Sequence, residues 1–181
     1  MGPMMCNGLK KIYGDTEVLC QGVGNGYTAS ISDNVGGKGT SNAAIKEATK
    51  MFTTAASKCP SAILAFGGYR LIHLFLMRLT CANTLNSQGT AVMHSTVGAL
   101  PAAIKDRLVA GVLFGDTRNK QDKSQVPNFP KEKVEVYCTK EDGVCWGSLN
   151  VTAGHFVYTV NGDGEKAMSF LKSKIDAAKT K

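Results

Sequence analysis

An aspartate and a histidine near the end of the chain, Asp142 and His155, have the residue types and the spacing that suit acid–base chemistry. They stand 13 residues apart, on what we predict to be neighbouring loops. A carboxylate bonded to an imidazole fixes its tautomer and stabilises its charged form, so that the imidazole can take a proton from a nucleophile. Asp142 also lies between Cys138 and Cys145, whose pairing would hold its loop rigid. The pair is a candidate for the base of a nucleophilic hydrolase.

Buried strands must position this pair. Continuous apolar runs bounded by turn residues are typical of buried parallel strands. Three such runs are present, at Ala62 to Phe66, Leu108 to Phe114 and Val134 to Cys138. Apolar residues at helical spacing predict helices over Asn42 to Ser57 and Gly164 to Lys179. Helices that alternate with buried strands predict an α/β fold with a central, mainly parallel sheet, and such a sheet carries its site where the strands end.

The composition suits one soluble domain and argues against two classes of partner. The chain has 181 residues, of which 43% are hydrophobic and 19% charged. The net charge of +7 does not indicate nucleic-acid binding, because the lysines are scattered and no aromatic residues alternate with them. The apolar stretch Leu71 to Leu79 is too short to cross a membrane, for which about 20 residues are needed.

The six cysteines favour disulfides over a metal site. None forms a C-x2-C pair and the three histidines are dispersed, so we expect no zinc. Local pairing fits better, Cys138 with Cys145 and Cys6 with Cys20, which implies an oxidising compartment. The glycosylation sequon at Asn150 agrees with secretion, although the first five residues do not resemble a signal peptide. We therefore expect an extracellular protein whose leader is not part of this sequence.

Short motifs along nearly the whole chain resemble those of the fungal-type cutinases, a family of α/β-hydrolase serine esterases. Each motif is a modest signal, but their order and spacing together are specific. The matching pieces are Cys6-Asn7-Gly8-Leu9, Gln21-Gly22-Val23-Gly24, Gly39-Thr40-Ser41, Lys58-Cys59-Pro60, Gly67-Gly68-Tyr69, Val112-Leu113-Phe114-Gly115, Pro127-Asn128-Phe129-Pro130, the Cys138 to Cys145 loop, and His155 with Tyr158.

One motif of the family is split. Its nucleophile sequence is G-Y-S-Q-G, but here Gly68-Tyr69 is followed by Arg70, and Ser87-Gln88-Gly89 comes later. Joining Tyr69 to Ser87 restores the motif, which makes Arg70 to Asn86 a foreign, 17-residue segment. We interpret this segment as a translated, unremoved intron. Within it, the apolar stretch Leu71 to Leu79 is predicted to form a helix of its own.

The resemblance implies a Ser-Asp-His triad in the order that α/β-hydrolases use. Ser87 would attack an ester carbonyl, His155 would take its proton and Asp142 would orient His155. The Gln88 backbone N–H would be one oxyanion donor. An apolar substrate rim is expected from Leu149, Val151 and Phe156.

The same resemblance implies that some family features are missing. The first strand of the family, the loop with its second oxyanion donor, and the cysteine that pairs with Cys59 would all lie upstream of Gly2. Losing one oxyanion donor costs about 10²–10³-fold in rate. We assign no function to His73 or Cys81, and we interpret His94, on the helix after the nucleophile, as structural.

The expected substrates are cutin or other aliphatic polyesters and short-chain esters, hydrolysed by a monomer without cofactor or metal. Three interpretations stay open at this point. The chain is an esterase that works fully once residues 70–86 are removed, an inactive secreted cutinase-like protein that acts by binding, or a sequence that does not fold stably.

Overall fold

A computed structural model of the chain describes residues 1–23, 37–69, 72–77, 89–148 and 151–180, with residues 72–77 described by their backbone alone. The α-helices are α1 (Gly2–Tyr13), α2 (Asn42–Lys58), α3 (Thr90–Ala99), α4 (Ala102–Lys105) and α5 (Asp163–Lys179). The strands are β1 (Val18–Gln21), β2 (Ile63–Gly68), β3 (Ile72–Met77), β4 (Leu108–Phe114) and β5 (Val134–Tyr137). Three 3-10 helices follow at Lys131–Lys133, Gly143–Trp146 and Ala153–Thr159.

The five described strands form one sheet in the order β1-β3-β2-β4-β5. Strands β2, β4 and β5 are parallel neighbours, and β3 pairs antiparallel with both β1 and β2. Four strands therefore run in one direction and β3 runs against them. The predicted mainly parallel sheet is confirmed.

Helices cover both faces of this sheet and make a three-layer molecule. Helices α2 and α3 pack on one face through side chains such as Phe52 and Val97, together with Leu64 and Phe66 of β2. Helices α1 and α5 pack on the other face through Leu9 and Leu171. Strands covered on both sides are apolar at successive positions, because both of their faces are buried. The α/β-hydrolase-like architecture predicted from the sequence is confirmed.

Local sequence explains where the main elements begin and end. Ser41 caps α2, since its hydroxyl oxygen accepts a hydrogen bond from the Ala44 N–H at 3.2 Å. Pro60 follows closely after the helix and cannot continue it. Helix α1 ends at Gly14, whose φ of 103° lies outside the region that other residues adopt easily.

The prediction of a helix over Leu71 to Leu79 is wrong, because residues 72–77 form strand β3. This strand lies between β1 and β2, and its backbone pairs with both. Val18 of β1 lies opposite Met77, and Gly68 of β2 lies opposite Ile72. A stretch of nine apolar-rich residues is too short for a stable isolated helix. Between two open strand edges it instead satisfies the backbone hydrogen bonds on both of its sides. Tertiary pairing thus decided its conformation.

Two disulfides connect elements that are close in the chain. Cys6 of α1 is bonded to Cys20 of β1, and Cys138 after β5 is bonded to Cys145. Cys59, at the end of α2, is a buried free thiol. In the described part of the chain, no helix has the length and apolar character of a membrane span.

Candidate active site

The side chains of Asp142 and His155 meet above the end of β5. The Nδ1 atom of His155 lies 2.9 Å from Oδ2 of Asp142. Asp142 is fully buried and His155 is 6% exposed. Each sits at a 3-10 helix: Asp142 caps Gly143–Trp146, where its Oδ1 accepts from the Val144 N–H at 3.2 Å, and His155 lies inside Ala153–Thr159. The two residues that the sequence proposed as acid and base are in contact.

Asp142 is ionised in this environment, and this fixes the tautomer of His155. Burial on its own raises the pKa of Asp142, but hydrogen bonds from His155 and Tyr158 outweigh it, and the pKa lies below its ordinary value. An ionised carboxylate only accepts hydrogen bonds, so Nδ1 of His155 carries the proton and donates it. In the neutral imidazole, Nε2 then holds the lone pair, which is the arrangement a general base requires.

Two tyrosines surround the pair, and sequence reasoning gave neither of them a role. Tyr158 is fully buried and donates from its hydroxyl to Oδ2 of Asp142 at 2.6 Å. Tyr69 stacks on the imidazole of His155, with centroids 5.5 Å apart and planes 28° apart, and donates to the His155 carbonyl at 2.6 Å. The signal for Tyr158 was available, since it lies one helical turn after His155.

Gly115 brings the backbone at the end of β4 against the same pair. Its φ is 61°, a conformation that favours glycine. A Cβ at this position would lie 2.6 Å from Cε1 of His155 and 2.9 Å from Oδ2 of Asp142. Sequence reasoning used Gly115 only as the last residue of the Val112-Leu113-Phe114-Gly115 motif and gave it no role in the site. Its position at the carboxyl end of a buried strand was the signal that it adjoins a site.

The described ends of the split motif lie side by side, although Gly89 comes 20 positions after Tyr69 in the chain. The Gly89 N–H donates to the Tyr69 carbonyl at 2.8 Å. A Cβ on Gly68 would lie 2.8 Å from the Cα of Thr90, so β2 and the start of α3 approach as closely as a glycine allows. Strand β2 and helix α3 therefore meet at the motif.

The other predicted site residues are described only in part. Ser87 and Gln88, the nucleophile and the oxyanion donor of the prediction, lie outside the described residues, as do Leu149 and the sequon residue Asn150. Val151 and Phe156 are 40% and 51% exposed, and the Phe156 ring is 5.8 Å from the imidazole of His155. Phe156 thus borders the Asp142–His155 pair on the solvent side.

His94 belongs to a separate buried cluster. Its Nδ1 lies 2.5 Å from Asp116 and its Nε2 lies 2.9 Å from Asp122, whose carboxylate also accepts from Arg118 at 3.0 Å. Carboxylates contact both ring nitrogens of His94, so neither nitrogen is open to a substrate. The cluster ties α3 to the loop after β4. No group of three or more potential metal ligands occurs in the described part of the chain.

Comparison with known proteins agrees with this architecture. The family model described as "Cutinase" matches residues 1–72 and 82–175. The chain is 41% identical over 174 residues to "Probable cutinase 5" of Aspergillus terreus, and 42% identical over 176 residues to "Cutinase 3" of Emericella nidulans. These matches cover 96% and 97% of the chain and 70% of each relative.

A solved structure, a Trichoderma reesei cutinase in complex with a phosphonate inhibitor, superposes with a TM-score of 0.74. The sequence identity is 26%, and the match covers 97% of this chain and 68% of that one. Fold, motif order and sequence similarity agree, and the chain belongs to the cutinase family.

Proposed function

We propose that this protein is a secreted serine esterase that hydrolyses cutin or other aliphatic polyesters and short-chain carboxylic esters through Ser87, His155 and Asp142. The observation that carries the proposal is the hydrogen bond from the Gly89 N–H to the Tyr69 carbonyl at 2.8 Å. It supports a closed nucleophile turn in spite of the intervening segment.

This hydrogen bond has the pattern of a β-turn. In a continuous Gly-Tyr-Ser-Gln-Gly motif, Tyr69 and Gly89 would be the first and fourth residues of the turn, and the N–H of the fourth bonds the carbonyl of the first. The two described ends thus lie as they would if only Ser87 and Gln88 separated them. Ser87 precedes Gly89 by two residues, which limits the distance between their Cα atoms to about 7 Å. The ring of Tyr69 lies against His155, which supports the proposal that the serine of the motif can reach this base.

The reaction would follow the usual acyl-transfer sequence. Nε2 of His155 takes the hydroxyl proton of Ser87 while the serine oxygen attacks the ester carbonyl. The protonated imidazole, stabilised by Asp142, then gives its proton to the leaving alcohol. Water, activated by the same imidazole, releases the acid from Ser87. The Gln88 backbone N–H would stabilise the negative oxygen of the tetrahedral intermediate.

An apolar acyl chain fits the surface next to His155. Phe156 is half exposed beside His155, and the proposal adds Val151, which is also exposed, and Leu149 from the preceding chain. When an alkyl ester binds against half-exposed apolar side chains beside a catalytic base, apolar surface of both is removed from water, which favours binding. Neither a cofactor nor a metal takes part in these steps, and a single chain supplies every group that they need. The two disulfides agree with an extracellular location.

The segment Arg70 to Asn86 is proposed to be foreign to the motif and to lower the rate. The match to the family model is interrupted between residues 72 and 82, which supports an insertion near this place. Ser87 is bonded to Asn86 instead of Tyr69, so strand β2 does not lead directly into the nucleophile as it does in the continuous motif. Misplacement of a reacting group by about 1 Å costs about 10²-fold. Sequencing the transcript between the codons for Tyr69 and Ser87 tests the intron hypothesis, which a message that keeps the segment as its main form would refute.

Hydrolysis of p-nitrophenyl butyrate by the full chain and by Ser87→Ala tests the esterase. We expect slow hydrolysis by the full chain and none above background by the variant. The control is a chain that joins Tyr69 to Ser87 and carries the family's N-terminal strand, in which we expect at least about 10²-fold higher kcat. If the folded full chain and this control are both inert, the family member acts by binding and the proposal is wrong.

A further inference from the structure

Oxygen Oδ2 of Asp142 is shared between two donors. His155 donates to it from Nδ1 at 2.9 Å, and Tyr158 donates from its hydroxyl at 2.6 Å. All three side chains are buried, with exposed fractions of 0%, 6% and 0% for Asp142, His155 and Tyr158. The charge that stabilises the imidazole is therefore also bound by a phenol.

The hydroxyl hydrogen of Tyr158 points towards Asp142. The Tyr158 oxygen accepts a hydrogen bond from the Thr139 N–H at 3.3 Å, and an N–H can only donate. The hydroxyl hydrogen is thus left for Asp142. Burial, and then the hydrogen bond to Asp142, raise the pKa of Tyr158, so the phenol stays protonated wherever an esterase with a histidine base works.

A hydroxyl at this place is not needed for packing. The Tyr158 ring already lies against the rings of Phe114 and Tyr69, with centroids 5.8 Å and 5.9 Å away. A phenylalanine would keep both ring contacts. The hydroxyl contacts Thr139, Asp142 and, at 3.7 Å, the disulfide sulfur of Cys145, and the contact with the Asp142 carboxylate is the strongest because its acceptor is charged.

We propose that Tyr158 is a positioning residue of the esterase: its hydroxyl holds Oδ2 of Asp142 in place for His155 and withdraws part of that oxygen's charge, which makes the imidazole a weaker base. The inference rests on the proposed Ser-His-Asp function. Among the described residues, the titratable side chains Asp142, Tyr69 and Tyr158 face His155. Of these, Tyr158 is bonded to the carboxylate itself.

The test is the pH dependence of kcat/KM in Tyr158→Phe. Without the phenol, the whole charge of Oδ2 faces His155 and stabilises the imidazolium. The base then loses its proton at a higher pH, and the acidic limb of the profile moves up by about half a pH unit. Because the carboxylate is also held less firmly, kcat falls about tenfold.

Two tyrosines provide controls with the same chemical change. Tyr13→Phe removes a hydroxyl that donates to Asp176 at 2.8 Å, remote from the site between α1 and α5, and should leave rate and profile unaltered. Tyr69→Phe keeps a ring against His155 but loses the hydrogen bond to its carbonyl. It should lower the rate without moving the acidic limb, because the Tyr69 hydroxyl donates to the His155 carbonyl and so acts on the position of the imidazole.

A second substitution guards against a folding defect in Tyr158→Phe. Site-specific 3-fluorotyrosine at position 158 keeps the shape and makes the hydroxyl a stronger donor, so the acidic limb should move to lower pH. The ¹⁵N shifts of the His155 imidazole, titrated in each variant, measure the same displacement without activity.

The two proposals fail in different ways. If Ser87→Ala still hydrolyses the ester, the proposed esterase mechanism is wrong whatever Tyr158 does. If Ser87→Ala is inert, but the titration of His155 is the same in Tyr158→Phe, in the fluorotyrosine variant and in the unaltered chain, the role of Tyr158 is overturned. Opposite displacements in the two variants support it.

Discussion

The backbone at Gly115 lies directly against the Asp142–His155 pair. The Cβ that any other residue would carry lies 2.6 Å from Cε1 of His155, closer than real Cβ contacts come. The atoms it would meet are the imidazole and the carboxylate that share the hydrogen bond, and both are confined by burial. Neither side chain can move aside without breaking that bond.

We expect Gly115→Ala to lower kcat/KM by about 10²-fold or more, because the methyl group displaces the imidazole by a sizeable fraction of an ångström. The positive φ of 61° adds about 1 kcal/mol of strain. Ester hydrolysis and urea unfolding measure the two effects.

Gly162→Ala is the matched control. Gly162 has a φ of 87°, and nothing lies within 4 Å of its Cβ position, so it has the strain without the contact. It should lose similar stability and keep its activity. Equal loss of activity in the two variants would contradict a specific role of the Gly115 contact.

For single residues, the sequence indicated which side chains carry the chemistry, but it did not indicate which residues surround them in the fold. Asp142 and His155 were found because a carboxylate and an imidazole at loop positions have a chemistry that their identity reveals. Gly115 and Tyr158 were not found, because a glycine after a strand and a tyrosine in an apolar run have ordinary structural explanations. Their contribution depends on distances across the fold, which spacing in the chain does not contain.

Among the elements, the loop from Cys138 to Cys145 has the most direct influence on the acid of the site. The disulfide closes it at both ends, and the indole N–H of Trp146 donates to the Thr139 carbonyl at 2.9 Å. Asp142 lies within this loop and begins the 3-10 helix Gly143–Trp146. The loop holds the carboxylate at a fixed distance from His155.

Replacing Cys138 and Cys145 by serine should cost about 2.5 kcal/mol of stability, the entropy of closing an eight-residue loop. Activity should fall much more than stability alone explains, because Asp142 gains freedom. The Cys6→Ser, Cys20→Ser chain is the comparison: its loop is longer, so the expected loss is about 3 kcal/mol, but its disulfide joins α1 to β1. A larger loss of kcat in the Cys6→Ser, Cys20→Ser chain would show that the position of Asp142 does not depend on the Cys138–Cys145 disulfide.

The elements could be predicted where local signals and tertiary packing agree. Helix α2 begins at the residue that the Ser41 cap indicates, and β4 occupies the apolar run Leu108–Phe114. Strand β3 could not be predicted, because its apolar residues suit a helix or a buried strand equally. The segment forms a strand because β1 and β2 each offer an edge with which it can pair. The sequence of the segment itself does not contain that information.

For the whole molecule, β3 makes the segment Arg70 to Asn86 part of the sheet. β1 is hydrogen-bonded to β3 and to no other strand among the described residues. A chain that simply lacks residues 70–86 would therefore restore the motif and lose the partner of β1. The deletion should therefore favour catalysis but lower the stability of the fold.

We expect the chain lacking residues 70–86 alone to be less stable than the unaltered chain by more than about 3 kcal/mol, since several ladder hydrogen bonds are lost. Urea unfolding followed by circular dichroism measures the difference. The same deletion with the family's N-terminal strand added should recover the loss. Equal stability of the short chain and the unaltered chain would mean that β3 does not support β1.

The antiparallel direction of β3 also affects the order in which the chain can assemble. Three residues separate β2 from β3, so these strands can pair within microseconds as a local hairpin. The parallel pair of β2 with β4 must wait until about 40 intervening residues have been brought together, because loop closure precedes any gain from the contact. A nascent chain would thus pair its central strand with β3 before the later helices α3 and α5 can cover it, and the open edge of that hairpin is a place where self-association can begin.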